Sequence, residues 1–206
     1  MKNSPLNSAM EGIVTQVISG NQMKVSLTGP NKVVKGENEF NVKLLLAITP
    51  TVRPHQELLY GQAALNYSKN ILLNQKVKIA YDPQSPTKDK DGNHLCYIYI
   101  NDDLYQSMLL KKGFGIIGSE QNEKLAKWDH VQSAESEAKD KGIGVWSIDG
   151  YVVKDTSFDK KIGAVSTLQG DINAVLNTVD DVKKNGLNES TLNRALDNVL
   201  KIFIGK

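Results

Sequence analysis

The chain has 206 residues, of which 40% are hydrophobic, enough for one ordinary domain with a packed core and an appendage. Its 25 basic and 23 acidic residues give a formal net charge of +2, which excludes a global field strong enough to gather a polyanion. Any nucleic-acid site must therefore be a local patch. The single cysteine, Cys96, excludes an intramolecular disulfide and is predicted to be a buried, inert thiol.

The first eleven residues lack the apolar core of a signal peptide and are predicted to form a flexible N-terminus. No apolar run in the chain approaches the length of a membrane span. The sequence therefore predicts a soluble protein of the cytoplasm, or a secreted one if a signal peptide has been removed, and it predicts no membrane partner.

Five segments have the patterns of β-strands. Alternating or short apolar runs identify residues 12–17, 23–27, 42–48, 75–81 and 94–100. The first two flank Ser19-Gly20-Asn21-Gln22, which predicts a tight hairpin turn. The third, residues 42–48, is typical of a central strand that is buried on both faces.

Apolar residues at helical spacing predict three helices within the same region. They lie over residues 56–73, around Leu104 to Leu109, and from Leu125 to Ala138. Five strands with one helix interposed and two following have the element order of a five-stranded Greek-key barrel capped by helices, the OB-fold. The predicted fold class is α+β, with this barrel domain over residues 12–150.

A different pattern begins after the barrel domain. Two amphipathic helices are predicted on either side of Asn185-Gly186, giving a C-terminal helical hairpin over residues 158–206. Its charges are mixed, unlike those of a basic DNA-binding arm. Its apolar faces must be buried on the barrel, in a homo-oligomer or against a protein partner, and the first two are favoured over a dedicated partner groove.

Residues 40–51, F-N-V-K-L-L-L-A-I-T-P-T, carry a resemblance to a known family. Together with the hairpin at 14–21, Y-G-Q-A at 60–63 and G-V-W-S at 144–147, they resemble the staphylococcal nuclease (thermonuclease) domain. In that family the strand reads roughly F-R-L-L-L-x-D-T-P-E and the hairpin V-x-D-G-D-T. The resemblance spans residues 12–147 and implies the OB-fold with calcium-dependent phosphodiester hydrolysis.

The resemblance also implies a site, and this chain departs from it. The family uses two aspartates and a threonine carbonyl to hold calcium, a glutamate to orient water and two arginines. The corresponding residues here are Asn21, Ile48, Thr49, Thr51, Lys43 and Asn93. An amide is a neutral ligand, an isoleucine is none, and a threonine hydroxyl is no base near neutrality. The sequence predicts a pseudoenzyme with no catalytic residue, no metal and no cofactor.

The alternative is a weak or metal-switched nuclease with a relocated acidic site. Its carboxylates would come from Asp82, Asp89 or Asp91, with Glu57 also able to reach the cleft rim from a loop. The histidines give no support to a metal site, because His55, His94 and His130 lack metal-ligand spacing.

Basic and aromatic residues near the positions of the family's catalytic site suggest a role in binding rather than in hydrolysis. The nucleic-acid-binding candidates are Lys43, Arg53, Lys88, Lys90, Tyr60, Tyr97 and Tyr99. OB-folds bind single strands with this combination, although tyrosines in strands more often pack in the core. The predicted function is therefore an inactive nuclease-like module that binds single-stranded nucleic acid weakly or serves as a protein-interaction domain.

Overall fold

A curved β-sheet closes on itself in this computed structural model, which describes residues 10–28, 38–53, 57–118, 123–154 and 156–164. The strands of this sheet are β1 Met10–Ser19, β2 Gln22–Thr28, β3 Glu39–Leu44, β4 Lys76–Ala80, β5 His94–Ile100 and β6 Asp103–Leu104. Their order is β3-β2-β1-β4-β5-β6, and β3 also pairs in parallel with β5. This pairing closes the predicted five-strand OB-fold barrel, with β6 as a two-residue addition.

Helices interrupt and follow the barrel strands in the predicted order. They are α1 Gly61–Leu72, α2 Tyr105–Lys111 and α3 Trp128–Asp140, with a 3-10 turn at Gly144–Ser147. In the described part of the chain, none of the helices has the length and apolar character needed to cross a membrane.

The prediction for the third strand was wrong in two respects. Strand β3 ends at Leu44 and buries only alternate side chains, Phe40, Val42 and Leu44, inside the barrel. The chain then turns through Leu46, which has a φ of 60°. Residues 45–47 remain buried although they have left the strand. A continuous apolar run therefore reflected a strand followed by a buried turn, which hydrophobic pattern alone does not separate.

Helix α1 begins at Gly61, five residues after its predicted start at residue 56. The preceding Leu58 and Leu59 have the right spacing for the helix but pack instead in a second apolar cluster around Ile116, Val145 and Tyr151. Their backbones are bonded elsewhere, since the Leu58 N–H donates to the Thr51 carbonyl at 3.0 Å and the Leu59 N–H donates to the Gly163 carbonyl at 2.7 Å.

The segment from residue 149 to residue 164 acts as a strap across this region. It contains a two-stranded hairpin, β7 Val152–Val153 and β8 Ser157–Phe158. Tyr151 is fully buried and its hydroxyl donates to the Leu59 carbonyl at 2.7 Å. The strap therefore fixes the loop that leads into α1.

We expect removal of the Tyr151 hydroxyl to destabilise the domain measurably. Tyr151→Phe leaves the Leu59 carbonyl without its buried donor, which should lower the free energy of unfolding by about 1 kcal/mol. Tyr60→Phe is the matched control, because the Tyr60 hydroxyl bonds the exposed Ser147 hydroxyl at 2.8 Å and water can replace it. Chemical denaturation followed by circular dichroism measures both; equal losses would contradict this role of Tyr151.

The predicted C-terminal hairpin lies almost wholly outside the described residues. The part that is described, up to residue 164, forms β8 and a turn in which the Asp159 carboxylate accepts hydrogen bonds from the N–H groups of Lys161 and Ile162. The predicted helices, whose apolar positions begin at Ile162, stay a prediction. Residues 165–206 and the first nine residues are not described. The start of β1 at Met10 assigns the last two residues of the predicted flexible N-terminus to the barrel.

Candidate functional site

An open cleft of about 600 Å³ lies where the β1–β2 turn, the loop after β3 and the loop before β5 meet. Its described lining residues are Ile18, Ser19, Asn21, Gln22, Lys43, Thr49, Pro50, Thr51, Val52, Arg53, Asp91 and Asn93. The cleft therefore contains most of the positions that the sequence assigned to a lost catalytic site. Ile48 is absent from this lining.

The Asn21 side chain makes three hydrogen bonds within the protein. Its Oδ1 accepts hydrogen bonds from the hydroxyls of Ser19 at 3.0 Å and Thr49 at 3.2 Å. Its Nδ2 donates to the Ala47 carbonyl at 3.0 Å. The amide oxygen that would replace a metal-binding carboxylate is thus surrounded by donors, an environment opposite to that of a cation ligand.

The turn that carries Asn21 is held from beneath by helices α1 and α2. A Cβ added at Gly20 would lie 2.7 Å from the Ala64 Cβ, so the turn approaches α1 more closely than a side chain permits. The buried Ser68 hydroxyl lies 2.8 Å from the Gly20 carbonyl and accepts a hydrogen bond from the Tyr105 hydroxyl at 2.7 Å. These contacts give Asn21 a fixed position in the cleft.

Thr51 lines the cleft, whereas Ile48 does not. The backbone of Ile48 pairs with that of Ile116 in both directions, at 2.9 and 3.0 Å, and its half-buried side chain packs on the second apolar cluster. The Thr51 hydroxyl accepts a weak hydrogen bond from the Arg53 N–H at 3.4 Å. Neither side chain offers a carboxylate for metal binding or for activating water.

Lys43 and Asn93 take part in a network that extends behind the cleft. Asn93 accepts a hydrogen bond from Gln22 Nε2 at 3.0 Å and donates its own amide to both oxygens of Asp89. The Lys43 ammonium lies 3.6 Å from Asp89 Oδ2. Burial by itself raises the pKa of the Asp89 carboxyl. The hydrogen bonds from Asn93 and Asp91, with the nearby Lys43, outweigh burial and hold the pKa below its ordinary value of 3.8.

Comparison with known proteins agrees with this architecture. The family model described as "Staphylococcal nuclease homologue" matches residues 41–148, which is just over half of the chain. The chain belongs to the staphylococcal nuclease family. A thermonuclease of Staphylococcus intermedius is 30% identical over 137 residues, covering 65% of this chain and 74% of the relative.

Two other relatives match parts of this chain of similar length. An uncharacterised protein of Bacillus anthracis is 35% identical over 123 residues, 58% of this chain and 56% of the relative. The SPbeta prophage-derived endonuclease YokF of Bacillus subtilis is 27% identical over 139 residues, 66% of this chain and 44% of the relative. The chain thus spans only about half the length of these two relatives.

The acids considered for a relocated nuclease site do not come together. Asp82 is buried away from the cleft, where its carboxylate accepts hydrogen bonds from the Tyr97 hydroxyl and the N–H groups of Gln84 and Ala126. Asp91 does line the cleft, whereas Glu57 is exposed outside its lining. Among the described residues, no group of three or more histidine, cysteine or acidic side chains could hold a metal ion.

Most of the predicted nucleic-acid-binding residues also lie elsewhere. Tyr97 is fully buried and donates to Asp82, so it offers no stacking surface. Tyr99 is partly buried, and it is not part of the cleft lining. Burial raises the pKa of Tyr97, and its bond to the Asp82 carboxylate reinforces this shift. Tyr60 lies at the second apolar cluster.

The four basic candidates divide between the cleft and the adjacent loop. Lys43 and Arg53 line the cleft, while Lys88 and Lys90 are exposed in the loop before β5 and are not part of the lining.

His94 and Cys96 have positions consistent with structural roles. His94 contacts the Tyr81 hydroxyl through Nδ1 and lies over the Phe40 ring, with centroids 4.2 Å apart. His130 is exposed on α3, and His55 lies outside the described residues. Cys96 is fully buried as predicted, and burial raises the pKa of its thiol to about 12. An un-ionised thiol is a poor nucleophile.

The Asp89 network is the part of the site that sequence reasoning missed. Asp89 was considered only as a metal ligand, and Asn93 only as a lost arginine. The spacing from Asp89 to Asn93 across Gly92 is a signal for a turn closed by an aspartate side chain, and it is present in the sequence. The contact with Lys43 has no such signal, because it joins residues from β3 and a distant loop.

Proposed function

We propose that this protein is a catalytically inactive staphylococcal nuclease-like domain that binds single-stranded nucleic acid in its cleft without hydrolysing it. The observation that carries the loss of hydrolysis is the neutral side chain of Asn21, whose amide oxygen accepts hydrogen bonds from two hydroxyls where the resemblance to the family implies a metal-binding carboxylate. With Ile48 outside the cleft lining, no pair of acids remains to share a cation there.

Binding is supported by what the cleft retains. Lys43 and Arg53 provide positive charge in the lining, and Ile18, Pro50 and Val52 provide an apolar surface on which a sugar or base can pack. A volume of about 600 Å³ falls within the range of small-ligand sites and suits one or two nucleotides. The relatives named as thermonuclease and endonuclease make a nucleic acid the natural ligand class for a retained cleft.

The charge of the cleft sets an expectation for the strength of binding. Its described lining carries Lys43 and Arg53 against Asp91, and Asp89 pairs with Lys43 from behind. Few phosphates can therefore be neutralised. We expect weak binding whose dependence on salt corresponds to about one phosphate, a slope of about −0.7 in log K against log salt for a single strand.

Fluorescence anisotropy with short labelled single- and double-stranded oligonucleotides, between about 50 and about 200 mM salt, tests this proposal. Arg53→Gln should weaken single-strand binding, whereas Lys78→Gln, the same charge change on an exposed strand residue outside the cleft, should not. Absence of binding, or equal weakening by both substitutions, would contradict cleft binding and favour the alternative of a protein-interaction domain.

A further inference from the structure

The Asp89 carboxylate occupies a small anion site at the back of the cleft wall. It accepts hydrogen bonds from the backbone N–H groups of Asp91 at 3.0 Å and Asn93 at 2.9 Å, and from the Asn93 side-chain amide at 3.0 and 3.2 Å. Its side chain is only 14% exposed. Backbone N–H groups, an amide and an ammonium are the donors that proteins also use to bind phosphate oxygens.

Lys43 faces this carboxylate and the cleft at the same time. Its ammonium lies 3.6 Å from Asp89 Oδ2, and its side chain, 41% exposed, is part of the cleft lining. Arg53, the other lining cation, is exposed and makes no ion pair within the described residues. The two cations are therefore unequal, because within the described ranges Lys43 forms an ion pair and Arg53 does not.

We propose that Asp89 acts as an internal competitor for the phosphate groups of a ligand, holding the Lys43 ammonium away from them. This inference rests on the proposed function and specifies its regulation. A phosphate that enters the cleft either binds without Lys43 or must first break the ion pair between Lys43 and Asp89. In both cases the cleft binds nucleic acid more weakly than it would if both cations were unpaired. Any condition that removes the Asp89 charge releases Lys43 for phosphate binding.

Asp89→Asn tests this directly, because the asparagine Oδ1 can still accept the N–H groups of Asp91 and Asn93 while the negative charge is lost. The matched control is Asp102→Asn. Asp102 pairs with Lys78 and is 80% exposed, outside the cleft lining, so the net charge changes equally without touching Lys43.

We expect Asp89→Asn to bind a single-stranded oligonucleotide about threefold to fivefold more tightly than Asp102→Asn. Its slope of log K against log salt should steepen by about 0.7, the effect of one more neutralised phosphate. Adding Lys43→Gln to Asp89→Asn should abolish both gains. Equal affinities for the two asparagine variants, or a gain that survives Lys43→Gln, would overturn the proposal.

Two further measurements decide the cases in which this comparison fails. If Asp89→Asn does not fold, Lys43→Gln and Arg53→Gln are compared in the otherwise native protein. Because Asp89 already holds Lys43, Lys43→Gln should lose less oligonucleotide affinity than Arg53→Gln. An equal or larger loss of affinity in Lys43→Gln would overturn the proposal. If no variant binds oligonucleotide, the proposed function fails on its own. A titration with pyrophosphate, followed by NMR of the backbone amides, then tests whether Asp89 competes for Lys43. The proposal requires that Asp89→Asn bind pyrophosphate more tightly than Asp102→Asn does.

Discussion

The purified protein is expected to leave DNA and RNA intact in the presence of calcium, magnesium or manganese. Calcium takes six to eight hard oxygen ligands, and the cleft offers Asn21 and Thr51 in place of acids. Losing a single electrostatic stabiliser costs about a hundredfold to a thousandfold in rate. Here the metal acids, the water-orienting acid and both arginines are changed together, so no hydrolysis above background should be measurable.

A gel assay of labelled DNA and RNA measures this, with the Staphylococcus intermedius thermonuclease as the positive control. Calcium should also leave the melting temperature of this protein unchanged, since a ligand that does not bind the native state cannot stabilise it. Metal-dependent cleavage that stays with the protein through purification and disappears in Asp91→Asn, the acid that lines the cleft, would show that a relocated site exists.

Local patterns were sufficient to predict the fold where both partners of an interaction lie close in sequence. The hairpin turn at Gly20 and Asn21 and the bounds of β5 were predicted correctly, because alternation and turn residues act within a few positions. The order of the elements, together with the resemblance to the nuclease family, predicted the closed barrel, which depends on the pairing of β3 with β5.

Errors arose where contacts distant in sequence override local preference. Leu58 and Leu59 have helical spacing, yet they pair with the strap around Gly163 and Ala164, which is more than a hundred residues away. Tyr97 carries an aromatic ring of the kind that stacks on bases, but in the fold it is buried and its hydroxyl donates a hydrogen bond to Asp82. Which face of a strand a tyrosine occupies depends on the tertiary packing, which the pattern of a single strand does not specify.

The same reasoning applies to the candidate site. The changed positions at Asn21, Ile48 and Thr51 are visible in the sequence, because the resemblance fixes their alignment. The interactions that replace the lost chemistry are not visible in the sequence. Asn21 forms hydrogen bonds with Ala47 and Thr49, and Lys43 forms an ion pair with Asp89. Those partners are set by how the loops fold over the barrel rather than by spacing along the chain.

Restoring an acid at one position, by Ile48→Asp, is expected to destabilise the domain and to produce neither calcium binding nor activity. The half-buried Ile48 side chain packs against Ile116, Val145 and Tyr151, so a carboxylate there loses apolar contacts and part of its hydration. No second acid shares a cation with it, because Asn21 remains neutral. The free energy of unfolding should fall by about 1 to 3 kcal/mol.

Ile48→Asn separates the effect of charge from that of shape. Partial burial raises the pKa of the new carboxyl in the folded state, so Ile48→Asp should lose stability relative to Ile48→Asn as pH rises above about 4 and the carboxyl ionises. Chemical denaturation at several pH values, with and without calcium, measures both effects. If calcium stabilised Ile48→Asp by itself, one substitution would have sufficed to restore the metal site, and the conclusion that several elements were lost together would be wrong.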